Sequence, residues 1–136
     1  MSEKVNQFCD KLRERLNGLE GRLQAVKTSV QDLPAKAEKS VRERLDQART
    51  KIQAQKERVE KARVDLKTRA EQKVAEGKEA INEWKAKREV RKLNARAERA
   101  EAYAEAAMVL ALASIDEAEE AVLDAVAARM DADPAQ

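Results

Sequence analysis

The stretch that decides the fold is residues 5–33, VNQFCDKLRERLNGLEGRLQAVKTSVQDL. Val5, Leu12, Leu19, Val26 and Leu33 recur every seven residues, and Cys9, Leu16, Leu23 and Val30 recur every seven between them. A helix turns once in about 3.6 residues, so two such interleaved series fall on one stripe. Sustained over about four repeats, the pattern predicts a heptad helix over 1–33. Asn17-Gly18 is locally a stop signal, yet the series continues in phase across it. Gly18 and Gly21 then sit outside the seam, where they weaken the helix without opening holes in its packing.

Asp32-Leu33-Pro34, at the end of this stretch, is the strongest breaker in the body of the chain. Asp32 can cap a new helix, and proline is tolerated only in a helix's first turn. Ser40-Val41-Arg42-Glu43 offers a second start, with the spacing of a capping box. A hairpin and a kink both fit this junction.

Residues 34–93 read as one long basic amphipathic helix. Ala37, Ala48, Val59, Ala70 and Ile81 recur every 11 residues, and Val41, Leu45, Ile52, Ala62, Leu66, Val74 and Trp84 fill in beside them. Eleven residues over three turns is about 3.67 per turn, which predicts a nearly straight or slightly right-handed stripe broken only by Gly77. In period and composition this is similar to the amphipathic units of exchangeable apolipoproteins and some desiccation-protective proteins. The stripe itself is of the kind that lies on a lipid surface as an interfacial helix.

Residues 94–130 read as a third helix with a small-residue seam. Ala97, Ala104, Ala111, Ala118 and Ala125 form one heptad series, and Ala100, Ala107, Ser114, Ala121 and Ala128 the other. Small seam residues let helix axes approach closely. Tyr103, Met108, Leu110, Ile115 and Val122 flank that seam and widen the apolar face to bundle width. Asn94 can cap a separate last helix, but no Gly or Pro supports a turn there, so a second hairpin near 93–96 and an unbroken helix both fit. The change of seam and the opposite charges it would bring together favour the hairpin. Residues 131–136, with Pro134, read as a frayed tail.

Composition agrees with rods. Charged residues make up 40% of the chain and aromatics 2%, so a ring-rich globular or all-β core is excluded. Ala, Glu, Lys, Leu and Arg dominate, and all are good helix formers. Disorder is the rival for a chain so charged, but the net charge is only +2 and the apolar residues are spaced. Charge is segregated: residues 35–92 hold 19 Lys/Arg against 11 Asp/Glu, while 93–136 hold 3 against 10. Attraction between the basic middle and the acidic last segment, within or between chains, is the expected use of that segregation.

Chemistry is sparse. The absence of histidine removes the commonest general base and metal ligand together. Glu98, Glu101 and Glu105 share a helix face, as do Glu117 and Glu120, and solvated faces account for both. The single cysteine, Cys9, cannot form an internal disulfide and reads as a small apolar seam residue. No phosphate loop or cysteine metal cluster is present. Neither enzymatic activity nor a cofactor nor a metal is expected. No N-terminal apolar segment reads as a signal peptide, and the longest apolar-rich run, Ala102 to Ile115, is short of the about 20 residues that span a bilayer. A cytoplasmic location is the default expectation.

The chain therefore reads as an all-α, long-helix coiled coil or helical bundle, one structural unit closed by oligomerisation. Long thin helices carry more apolar stripe than one chain of this size can cover. The expected seam is Val5, Cys9, Leu12, Leu16, Leu19, Leu23, Val26 and Val30 with Ala104, Ala107, Ala111, Ser114, Ala118 and Ala121. The expected partner is the protein itself, as a dimer or tetramer, and beyond that another helical protein. The expected function is a self-assembling structural or interaction protein. Two alternatives stand beside it: a peripheral binder of lipid or granule surfaces through the middle stripe, and a nucleic-acid-associated protein. The polyanion contact for nucleic acid or an anionic membrane would be Lys85, Lys87, Arg88, Arg91, Lys92, Arg96 and Arg99, with Trp84 at its start.

Overall fold

Ser2 opens the first helix with its hydroxyl, which accepts from the Val5 backbone N–H at 3.3 Å. Helix α1 then runs Glu3–Asp32, unbroken through Gly18 and Gly21. The computed structural model describes residues 2–75 and 77–133, and the side chains of all of these except 73–75. After α1 come a 3-10 turn, Leu33–Ala35, and helices α2 (Glu38–Ala54), α3 (Lys56–Ala75), α4 (Lys78–Ala86) and α5 (Val90–Ala132). Among the described residues there is no strand, and the chain is an all-α helical bundle protein.

The junction at Asp32-Leu33-Pro34 is a hairpin. Pro34 sits in the first turn of the 3-10 segment, where its missing N–H costs nothing. Lys36 and Ala37 are extended, and Ala37 caps α2 by backbone alone. Asp32 makes no side-chain cap and Ser40 lies inside the first turn of α2, so neither start signal read from the sequence operates. The Arg44 guanidinium on α2 reaches back to the Ser29 hydroxyl on α1 at 2.9 Å.

The single helix expected over 34–93 is instead three. Gln55 turns its N–H to the Lys51 and Ile52 carbonyls between α2 and α3, and Gly77 is the extended N-cap of α4. The buried positions also depart from an 11-residue repeat. Val41, Leu45 and Ala48 on α2 and Val59, Ala62 and Arg69 on α3 are buried, with Ile52, Gln55 and Leu66 half-buried, so the spacing is heptad. Ala37 and Ala70 of the 11-residue series are exposed. Val74 of that stripe lies outside the residues whose side chains are described.

The second junction falls at 87–89 and not at 93–96, and Asn94 lies inside α5. Arg88 takes φ +53, the left-handed region, directly after the α4 cap residue Lys87. Glu89 N–H bonds the Trp84 carbonyl at 2.9 Å and Arg88 N–H bonds the Lys85 carbonyl at 3.2 Å. These two bonds are a Schellman motif, with arginine where glycine is usual. Of the expected tail, Asp131 and Ala132 still belong to α5, and residues 134–136 lie outside the described residues.

The chain divides into two compact units, Met1–Lys56 with Ala111–Gln136, and Glu57–Leu110. The first unit holds the α1–α2 hairpin and the C-terminal half of α5. Its core is Leu33, Val41, Leu45, Ala48, Leu123 and Ala127, with Val122, Val126 and Met130 packed against it. The second unit holds α3, α4 and the N-terminal half of α5, and its buried residues are Val59, Ala62, Arg69 and Ala106. No helix among the described residues is long and apolar enough to cross a membrane.

Candidate functional site

Three surfaces carry the residues singled out by the sequence, and the structure treats each differently. On α1 the two heptad series separate. Val26 and Leu33 are buried and Leu12 and Leu19 half-buried, so the line containing Val5 faces the protein along most of its length, though Val5 itself is exposed. In the other line Val30 is half-buried, Cys9 is exposed, and Leu16 and Leu23 are 52% and 58% exposed. The inward stripe is completed instead by Phe8, Arg22 and Ser29. Two of these are polar, and a stripe chosen for apolar residues turns away from them.

On α5 the small-residue seam is displaced. Ala111, Ser114, Ala118 and Ala121 are exposed, and Ala104 and Ala107 only half-buried. The line that packs inside the chain is Ala106, Ala113 and Ala127 with Asp116 and Leu123, all buried, and with Val109, Glu120 and Met130, all half-buried. Leucine, valine and methionine bury more apolar area than alanine, so the helix turns them inward and leaves an alanine face outside. Tyr103, expected to flank a packed seam, is exposed.

Asp116 is the least apolar member of that inner line, and it is 2% exposed. Arg22 reaches it from α1, with Nε at 3.0 Å and Nη2 at 2.8 Å from Oδ1, and also binds Glu119 with Nη2 at 3.1 Å. Lys51 on α2 approaches the same Oδ1 at 3.4 Å. Burial alone would lower the Arg22 pKa. The hydrogen bonds and charges of Glu119 and Asp116 outweigh it and hold the group above its ordinary range, so Arg22 stays ionised at any working pH. Farther along, Arg49 bonds Glu120 and Asp124 at 3.1 and 3.2 Å, and Arg42 bonds Glu38 and Asp131. Asp116, Glu119, Glu120, Asp124 and Asp131 of the last segment are thus met by α1 and α2.

The basic stretch forms the exposed corner between α4 and α5. Lys85, Lys87, Arg88, Arg91 and Lys92 are exposed there, while Arg96 and Arg99 are half-buried on α5 and Trp84 is half-buried on α4. Lys87 pairs with Glu83 at 2.6 Å and Lys92 with Glu89 at 3.2 Å. Lys85, Arg88 and Arg91 have no carboxylate partner among the described residues. No group of three or more His, Cys, Asp or Glu among those residues could hold a metal ion. No protein-family model, curated protein or solved structure matches this chain.

Proposed function

We propose that this protein is a self-associating helical scaffold whose α1 pairs with α1 of a second copy and offers the assembled bundle to another helical protein. The observation that carries this reading is the second apolar line of α1. Leu16 and Leu23, more than half exposed in the single chain, stand seven residues apart with exposed Cys9 in the same series. Covering a leucine is worth about 1.5–3 kcal/mol, so a pair of them on each helix is a substantial incentive. Arg13, Glu20 and Lys27 run alongside at the same interval and carry both signs, so two copies are not driven apart.

Light scattering at micromolar concentration tests the proposal. The expected mass is twice 15.3 kDa. Leu16→Asp with Leu23→Asp should return it to 15.3 kDa with helicity kept, because both leucines lie outside the buried core. A wild-type protein that stays monomeric overturns the proposal.

A second reading rests on Lys85, Arg88 and Arg91, three exposed cations at one corner with no carboxylate partner among the described residues. They support contact with a polyanion such as nucleic acid. A mobility shift that weakens steeply with salt, and is lost in the triple glutamine variant, would support that reading. The lipid-surface alternative has less to use, since Val41, Leu45, Ala48, Val59 and Ala62 of the middle stripe are buried within the chain.

A further inference from the structure

We propose that a cavity of about 340 Å³ between α1, α2 and α5 binds a small organic carboxylate, held by Arg44 and Lys51. Its polar wall is Arg22, Ser29, Arg44, Gln47, Lys51 and Glu119. The donors around it are unequally used. Arg22 is spent, with Nε and both terminal nitrogens directed at Asp116 and Glu119. Arg44 is not. Its Nη1 donates to the Ser29 hydroxyl at 2.9 Å and to the Ser29 carbonyl at 3.4 Å, while Nε and Nη2 have no acceptor among the described residues. Lys51 makes one contact, to Asp116 at 3.4 Å, and two further N–H groups remain.

The arginines of α2 differ in their partners. Arg42 and Arg49 are exposed, and each reaches carboxylates on α5. Arg44 is half-buried and reaches none among the described residues. The least exposed guanidinium of the three is therefore the one without a carboxylate partner among the described residues. A planar fork of N–H donors facing a cavity matches an oxyanion.

Charge balance selects the class. Arg22, Arg44 and Lys51 stand against Asp116 and Glu119, an excess of one positive charge at the cavity. One carboxylate neutralises it, whereas a phosphate dianion would leave a surplus negative charge beside Glu119. Ala48 and Leu123 complete the lining and offer apolar surface to a short hydrocarbon body. The volume lies at the small end of the roughly 300–1,000 Å³ of ligand cavities, which suits butyrate or benzoate better than a fatty acid.

The test is a titration followed by two-dimensional amide and arginine-side-chain NMR, with butyrate and benzoate in separate arms, inorganic phosphate in a third, and chloride holding ionic strength constant. The expected result is saturable shifts at Ser29, Arg44, Gln47 and Lys51 with a carboxylate Kd in roughly the millimolar range. Arg44→Gln should weaken that binding at least about tenfold, and Arg49→Gln, on the same helix but outside the cavity, should leave it within about twofold. If Arg44→Gln does not fold, Lys51→Gln serves in its place with the same expected loss. The proposal is overturned if neither carboxylate gives saturable shifts, if the cavity variants bind as wild type does, or if phosphate saturates these signals and the carboxylates do not. Each readout is independent of whether α1 pairs with a second copy.

Discussion

Arg22 on α1 and Asp116 on α5 meet at 2.8 Å although 94 residues separate them, and the carboxylate is almost fully withdrawn from water. Each occupies the inner line of its own helix. Their pairing, joined by Lys51 from α2, sets the alignment of all three helices in the first unit, because a slip by one turn would bury both charges without partners.

The energetic consequence is asymmetric. Asp116→Ala strands the Arg22 guanidinium beside Glu119 alone and should lower stability by about 3 kcal/mol. Arg22→Met with Asp116→Leu removes both charges together and should return stability to within about 1 kcal/mol of wild type or above it. Urea unfolding followed by circular dichroism reads both. A single variant as stable as the parent would show that the pair does not anchor the helices.

The two faces of α5 should respond oppositely. Leu123→Ala opens a void among Leu33, Val41 and Leu45 and should cost about 2–5 kcal/mol. Ala118→Glu and Ala121→Glu lie on the exposed alanine face and should stay within about 0.5 kcal/mol of wild type, with unchanged mass in solution. A loss of mass in the glutamate variants would move the assembly surface from α1 to α5.

Cys9 reports on α1 pairing. It is exposed in the single chain, so a thiol-specific disulfide reagent should modify it rapidly in dilute protein. Raising the protein concentration until chains associate should slow modification by about tenfold, following mass action. In Leu16→Asp/Leu23→Asp the rate should not depend on concentration. A wild-type rate equally insensitive would remove α1 from the interface.

Backbone preferences give a fourth prediction. Arg88 holds a left-handed conformation that costs a non-glycine residue about 1–2 kcal/mol, so Arg88→Gly should raise stability by about 1 kcal/mol. Gly18 lies in the middle of α1 with open space where a Cβ would stand, so Gly18→Ala should gain about as much. Thermal unfolding compares the two. A destabilised Gly18→Ala would mean that the position is covered by another chain.

Helix content, the extent of α1 and the break after Asp32 were legible because each rests on local chemistry: heptad spacing from Val5 to Leu33, and a proline placed where only a first turn accepts it. That the break is a hairpin and not a kink was not legible, because it depends on α2 packing back on α1 through contacts such as Arg44 to Ser29. The inward registers were legible only in part, in the Leu12, Leu19 and Val26 line of α1. Arg22, Gln55, Arg69 and Asp116 occupy inward positions, and a charged or amide residue counts against a seam until its partner is known. For Arg22 that partner lies 94 residues away. Alanine, abundant everywhere in α5, offered a uniform series with nothing to set against its face of larger apolar residues. The break at 87–89 escaped for a different reason. Its turn uses Arg88 where a glycine or asparagine would have announced it, and Asn94, a good cap by type, sits inside a continuous helix. The Arg44 cavity depends on α1, α2 and α5 meeting, so no window of sequence contains it.

The Schellman corner at Arg88 also bears on how this chain is dismantled. Trypsin cuts after lysine and arginine, and the chain offers it 28 such sites, yet a scissile bond must leave its helix and extend before the enzyme can engage it. Lys87 and Arg88, like Lys36 in the first hairpin, already stand outside helices. Digestion should therefore begin at these bends and release a few discrete fragments in place of a ladder, and the order in which they emerge ranks the joints of the protein by how readily each one yields.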